Sequence, residues 1–254
     1  MKKNYCLWCV IFLSINLYSV EIKSLADFSK RKIEYYCEEN IELVQQNIDK
    51  DLKDLSLNKN KFKYELFLTL ENNLVIEKIN FMPQENDVKK EIYLIVNNQI
   101  LKNELYLENK KLKELSSDYI VSVADLNTRA LTFLTNSKKY SQAMLIKDYY
   151  TQAIKNNNKN SNAYLGYGLW LYFAPPIVGG GYKEAYKKIL LAEKNAKNDE
   201  ELYYILIYKS QILFALNQKE DAKKILKQAH SLFKKETFTK MVEGVNEKGK
   251  IFFD

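Results

Sequence analysis

Hydrophobic residues in the first part of the chain recur with a helical period. Phe28, Ile33, Tyr36, Cys37, Ile41, Val44, Ile48, Leu52 and Leu55 follow one another mostly at spacings of three to five, with charges between them. That stripe predicts one long helix or a broken pair over residues 25–57. Asp27 is placed to cap its first turn. The texture then changes. Residues 62–70 carry aromatic and β-branched side chains in partial alternation, and Glu71-Asn72-Asn73 separates them from a second apolar run at 74–81. Residues 91–96 and 99–107 flank Asn97-Asn98 in the same way, and Pro83 punctuates the interval. Two extended runs around a short polar turn predict a hairpin, and two hairpins need a shared sheet to be stable. The expectation is therefore an α+β fold: an N-terminal helix laid on a four-stranded antiparallel sheet over 21–115, then an all-α domain over 116–250. Beyond Leu112 only helical patterning appears, until an extended tail at Ile251-Phe252-Phe253.

The helical part is repetitive. Leu202, Ile205, Leu206, Ser210, Leu213 and Phe214 mark one helix, Asn217-Gln218-Lys219 a turn, and Ala222, Leu226 and Ala229 a second helix. Small residues at 222 and 229 let that helix approach its neighbours, and Leu226 fills the groove between. Ala185, Ile189 and Ala192 repeat the small–large–small spacing 37 residues earlier. The helix before them contains Ala163-Tyr164-Leu165-Gly166-Tyr167-Gly168. A weaker unit, ambiguous in frame by three residues, pairs 126–134 with Ala143, Ile146, Tyr150 and Ala153. This pattern resembles the tetratricopeptide repeat, a 34-residue helical hairpin with small–large–small positions on its second helix. The resemblance covers roughly 117–233. It implies stacked hairpins in which either Gly166 or Gly168 is the contact glycine, Gly168 being preferred because it sets Tyr164 at the family's usual Trp position. One hairpin cannot bury both its faces, so three units with a closing helix near 238–247 are expected.

One stretch departs from the repeat. Pro175, Pro176, Gly179, Gly180 and Gly181 lie where the family has a tight turn. Two readings are open: a helix stop with a flexible connection, or a rim that touches ligand. Its glycine spacing is not that of a phosphate loop.

Composition adds limits. Hydrophobic residues make up 46% of the 254 and charged ones 28%, a globular balance with only seven glycines. The bias toward Lys, Asn and Ile matches an AT-rich bacterial genome. The net charge of +7 comes from basic residues interspersed with acidic ones, including Lys187-Lys188 and Lys223-Lys224 on solvated faces, so no nucleic-acid partner is expected. Residues 1–20 read as a signal peptide, with Lys2 and Lys3 before an apolar stretch of roughly 24 Å as a helix, against about 30 Å of hydrocarbon. An uncleaved anchor is the alternative. With that segment removed Cys37 is the only cysteine, read as a small buried apolar side chain.

Catalytic chemistry finds no support. His230 is the only histidine. Glu38-Glu39 and Glu200-Glu201 point to different helix faces. No nucleophile elbow occurs, and neither a metal nor a cofactor is expected. In a stacked array the first helices line a concave face, on which Asn162, Leu165, Leu169, Tyr172, Tyr204, Ile207, Gln211 and Phe214 are the expected partner-binding residues. The competing reading makes several of them core. The layout is similar to that of small tetratricopeptide proteins of spirochaete envelopes of the Borrelia type, which implies a periplasmic, non-catalytic scaffold that stabilises another cell-envelope protein, linked to infectivity. The alternative is a small-molecule-binding accessory to a transporter, which requires a cavity near Trp170 and the glycine-rich loop.

Overall fold

The computed structural model describes residues 21–83, 85 and 87–253; the expected signal segment at 1–20 lies outside them. Among the described residues there are eleven α-helices and no strand. In chain order these are α1 (Leu25–Cys37), α2 (Ile41–Leu57), α3 (Tyr64–Asn80), α4 (Lys89–Leu107), α5 (Ser117–Ala130), α6 (Asn136–Asn156), α7 (Ser161–Phe173), α8 (Tyr182–Lys194), α9 (Asp199–Ala215), α10 (Lys219–Leu232) and α11 (Phe238–Glu247). Consecutive helices pack side by side, most extensively α5 with α6, α7 with α8 and α9 with α10. The arrangement is consistent with a helical-repeat array.

The α+β expectation is wrong. All four expected strands are helix: 62–70 and 74–81 fall largely in α3, and 91–96 and 99–107 in α4. The reason lies in burial. α3 runs through the middle of the N-terminal half and buries residues on every side, among them Phe67, Leu68, Leu70, Leu74, Val75, Ile76 and Ile79. A helix buried all round has no polar face and so shows no helical period. The supposed turn at Asn72 sits in mid-helix, with its side chain fully buried. Its amide donates to Asn103 Oδ1 (3.1 Å) and Ser122 Oγ (3.0 Å), and accepts from Gln99 Nε2 and Asn103 Nδ2 (both 2.8 Å). Both its donors and both its lone pairs are thus used, which is what a buried Asn requires.

The first stripe is the broken pair. Asn40 separates α1 from α2 and caps α2 by accepting from the backbone N–H of Glu42 and Leu43. The cap of α1 is Ser24, not Asp27; Asp27 instead reaches back to accept from the Lys23 N–H and the Ser24 hydroxyl. The tail at 251–253 is a turn, not a strand.

The small–large–small positions of the two clearer units fall on helices, as do the second-helix residues of the weaker unit. Ala185, Ile189 and Ala192 are buried on α8, Ala222, Leu226 and Ala229 on α10, and Ile146, Tyr150 and Ala153 on α6. The two glycines of α7 have different jobs. A Cβ at Gly168 would press on Ile189 and the Ala185 carbonyl of its paired helix α8, while one at Gly166 would lie 2.2 Å from the Tyr150 ring of the preceding pair. Gly168 is therefore the contact glycine within the α7–α8 pair. The connection from α7 to α8 is folded tightly. Gly179 and Gly181 hold positive φ, a Cβ at Gly180 would lie 1.9 Å from the Ala174 carbonyl, and the Gly181 N–H donates to Leu171 O at 2.8 Å.

α11 returns the chain over α9 and α1. The Thr237 N–H donates to Tyr36 O, and buried Glu236 accepts from Tyr203 OH (2.5 Å), the Thr239 N–H (2.9 Å) and the Thr239 hydroxyl. Burial alone would push the Glu236 carboxyl up. These bonds and the His230 ring outweigh it and hold the carboxyl below the usual range.

Substituting the glycines should separate contact from propensity. Gly166→Ala is expected to cost about 1–3 kcal/mol, because the Tyr150 ring is buried and tethered through its hydroxyl. Gly244→Ala on α11, with open space around its Cβ, should gain about 0.5–1 kcal/mol. Urea unfolding of the two variants measures both; shifts of the same sign would contradict this packing.

Candidate functional site

A cavity of about 640 Å³ lies between the repeat pairs and the N-terminal helices. One wall is α7, with Asn162, Leu165, Leu169, Trp170 and Phe173. Asp125, Thr128 and Arg129 come from α5, Tyr140, Met144 and Tyr150 from α6, and Tyr204 and Tyr208 from α9. Lys32 and Tyr36 of α1, Ile76, Glu77 and Asn80 of α3, Phe238 of α11 and Phe253 of the tail complete it, while Pro175 and Val178 bring the glycine-rich connection to its edge.

Each polar group here has a physical setting. Glu77 is all but buried, and its carboxylate accepts from Lys32 Nζ (2.8 Å), Tyr36 OH (3.2 Å) and Asn80 Nδ2 (3.3 Å). The same ammonium lies 4.2 Å from the centroid of the Tyr204 ring, so one cation serves a carboxylate and an aromatic face. Asp125 accepts from Tyr150 OH at 2.5 Å. Burial nevertheless raises its carboxyl above the ordinary range, against the lowering influence of Tyr150, Arg129 and Lys32. The Tyr204 hydroxyl is buried without a hydrogen-bond partner, and burial pushes its pKa well above the usual value. Trp170 is fixed by its indole N–H, which donates to Ala143 O at 2.7 Å.

Of the eight residues expected on the concave face, Asn162, Leu165, Leu169 and Tyr204 line this cavity. The other four do not. Tyr172 is buried, stacked on Tyr182 at 4.9 Å and edge-on to Phe253. Ile207 packs with Ile33, Phe238 and Val242. Gln211 is fully buried and holds the C-terminal tail, donating to Asn246 Oδ1 (3.0 Å) and accepting from the Phe252 N–H (2.9 Å). Phe214 is half-buried beneath Lys219. The row breaks because α1, α11 and the tail cover the α9 part of the face.

Sequence reasoning missed Lys32, Tyr36, Glu77, Asp125 and Arg129. A signal existed for Glu77, a lone acid inside the apolar run 74–79, but reading that run as a strand gave it no role. Asp125 and Arg129 stand one helical turn apart, which is visible only once α5 is framed as a helix.

No protein-family model and no curated protein matches the chain. What the cavity takes must follow from its own chemistry. Among the described residues no group of three or more His, Cys, Asp or Glu side chains is placed to hold a metal ion, and no helix is long and apolar enough to cross a membrane. Cys37 is a free thiol, half-buried, with its pKa raised by burial. The cavity presents aromatic and aliphatic walls with a few fixed charges, at a volume within the range of small-ligand pockets.

Two substitutions test these electrostatics. Lys32→Met leaves the Glu77 carboxylate buried without its cation. Since Lys32 is itself a quarter exposed, the expected loss is about 1–3 kcal/mol rather than the full buried-pair value. Adding Glu77→Gln should restore most of it in a double-mutant cycle; additive losses would show that the pair is not coupled. For Asp125 the raised carboxyl means that folding favours the protonated form. That contribution is complete below the ordinary carboxylate value and is lost as pH rises through the higher folded one. Asp125→Asn keeps a carbonyl for Tyr150, so it should unfold at higher temperature than wild type at pH 7, with the gap closing toward about pH 4. A gap that widens on acidification would reverse the assignment.

Proposed function

We propose that the protein is a non-catalytic binding protein of the bacterial cell envelope, a tetratricopeptide-like array that holds a compact ligand in the cavity beside Trp170. One observation carries this reading: the concave row is interrupted, and its accessible part is a pocket walled by seven helices and the tail. A helical or extended peptide needs a continuous groove, whereas a pocket of this size suits a small molecule. The reading matches the transporter-accessory alternative, in which the cavity lies next to the glycine-rich connection. The envelope location rests on the signal-like composition of residues 1–20, and the repeat family on the small–large–small positions and the Gly168 contact.

A second reading, a scaffold that stabilises an envelope partner protein, is favoured by the cavity's rim. Tyr140 (61% exposed), Phe173 (62%) and Ile177 (92%) present apolar side chains at and beside the mouth. Large exposed apolar side chains gathered in one place mark protein contacts.

The readings separate with two variants of the full chain. Leu169→Trp fills the cavity, and Ile177→Asp alters only the rim. A ligand at one hundred times its Kd should stabilise wild type by about 2.7 kcal/mol, raising Tm by roughly 5–10 °C. Screening a small-molecule library by thermal shift should find compounds whose effect Leu169→Trp abolishes and Ile177→Asp leaves intact. Capture of a purified envelope partner that fails with Ile177→Asp but survives Leu169→Trp would favour the scaffold instead. A library in which every stabilising compound acts equally on all three proteins would sink the cavity reading.

A further inference from the structure

The cavity lining contains four charged side chains: Lys32, Glu77, Asp125 and Arg129. Lys32 and Glu77 neutralise each other at 2.8 Å. Asp125 and Arg129 stand one turn apart on the same face of α5, about 5–6 Å between Cβ atoms. No ion pair joins them, and none joins either to another described residue. Asp125 uses Oδ1 for the Tyr150 hydroxyl, while Oδ2 accepts from no described donor. The Arg129 side chain makes no hydrogen bond to a described group and is exposed. The cavity thus offers, side by side, a carboxylate with one oxygen left to accept and a guanidinium without a described partner, against a wall of Leu165, Leu169 and Trp170.

Charge balance narrows the occupant. A simple cation would use Asp125 and leave Arg129 unpaired, a simple anion the reverse, and a neutral compound would desolvate both for nothing. Resting on the cavity-binding reading above, the geometry points to a zwitterionic amino acid as the ligand class: its ammonium on Asp125, its carboxylate on Arg129, and an aromatic or large aliphatic side chain along the apolar wall. An α-amino acid carries its two charges on one carbon, a separation that fits between two side chains one helical turn apart. Its carboxylate also suits the guanidinium fork, which offers paired N–H donors.

The test uses the full chain carrying Trp8→Phe, so that Trp170 is the only tryptophan. Four probes share one ring and differ in charge: L-phenylalanine, phenethylamine, 3-phenylpropionate and benzyl alcohol. Trp170 fluorescence and calorimetric titration should show L-phenylalanine binding at least about tenfold tighter than the other three, the worth of one charge-assisted hydrogen bond. Arg129→Gln should reduce L-phenylalanine to the level of phenethylamine, and Asp125→Asn to that of 3-phenylpropionate. Both variants should keep the wild-type helical circular dichroism, since Asn still accepts from Tyr150 and the Arg129 side chain makes no hydrogen bond or ion pair to a described residue. Equal binding of benzyl alcohol and L-phenylalanine, or a preference untouched by either variant, overturns the zwitterion assignment while leaving cavity binding in place. Failure of all four probes to bind also overturns it; the cavity reading is then judged separately by the Leu169→Trp comparison.

Discussion

Two helices can lie close only where one of them gives up its side chain, and this molecule is organised around that constraint. Gly168 lets α7 rest on Ile189 and the Ala185 carbonyl of α8, and Ala222 and Ala229 do the same service for α10 beneath α9. Protein interiors have no spare volume, so a methyl added at such a point forces a shift in the partner. Gly166 extends the constraint between pairs, because Tyr150 of α6 occupies the space its side chain would take. That ring then carries its hydroxyl to Asp125. Tight helix packing and the placement of a cavity carboxylate are therefore one feature.

The cavity exists because the rest of the chain is laid over this stack without filling it. α1 crosses between α3 and α9, and the Lys32–Glu77 bridge, with the Tyr36 hydroxyl, fixes it there. At the other end the chain is clasped twice. Glu236 gathers Tyr203, His230 and Thr239 at the α10–α11 corner, and Gln211 binds the tail backbone. The Thr237 N–H on the Tyr36 carbonyl joins the two coverings directly. First and last elements of the described chain thus share one surface, and the pocket lies between them and the helix pairs.

How much of this could be read beforehand depended on whether a helix keeps a polar side. α10 shows its charges to solvent and buries Ala222, Leu226 and Ala229, so its pattern was plain. α4 carried a readable stripe too: Ile92, Val96, Gln99 and Asn103 are its buried residues, at helical spacing. Exposed Tyr93, Leu94, Leu101 and Leu105 on its other face disguised that stripe as strand-like alternation. In α3 nothing was left to find, because its surroundings are protein on all sides. Asn72, read as a turn residue, compounded the error. Asparagine favours turns when its amide can bond locally, but here the Asn72 amide bonds across helices to the amide of Asn103. Of the residues expected on a concave face, Asn162, Leu165, Leu169 and Tyr204 line the cavity, while Ile207 and Gln211 are buried, because no local pattern announces that a distant helix or tail will cover a face.

The charges left in the cavity are hard to explain as stability devices. The Tyr204 hydroxyl without a partner forgoes a bond whose absence costs about 1–3 kcal/mol, and a carboxyl held above its ordinary range at Asp125 weakens the fold at neutral pH. Asn72 and Glu236, by contrast, are fully hydrogen-bonded, although Arg31 Nη2 on α1 is also buried without a partner. Two such departures, Tyr204 and Asp125, line the volume where Leu169 and Trp170 also leave room. A bound compound would supply the missing partners and at the same time touch elements from α1 to the tail. Occupancy would then tighten the coverings of the concave face together, so that ligand and fold stabilise each other through the same contacts.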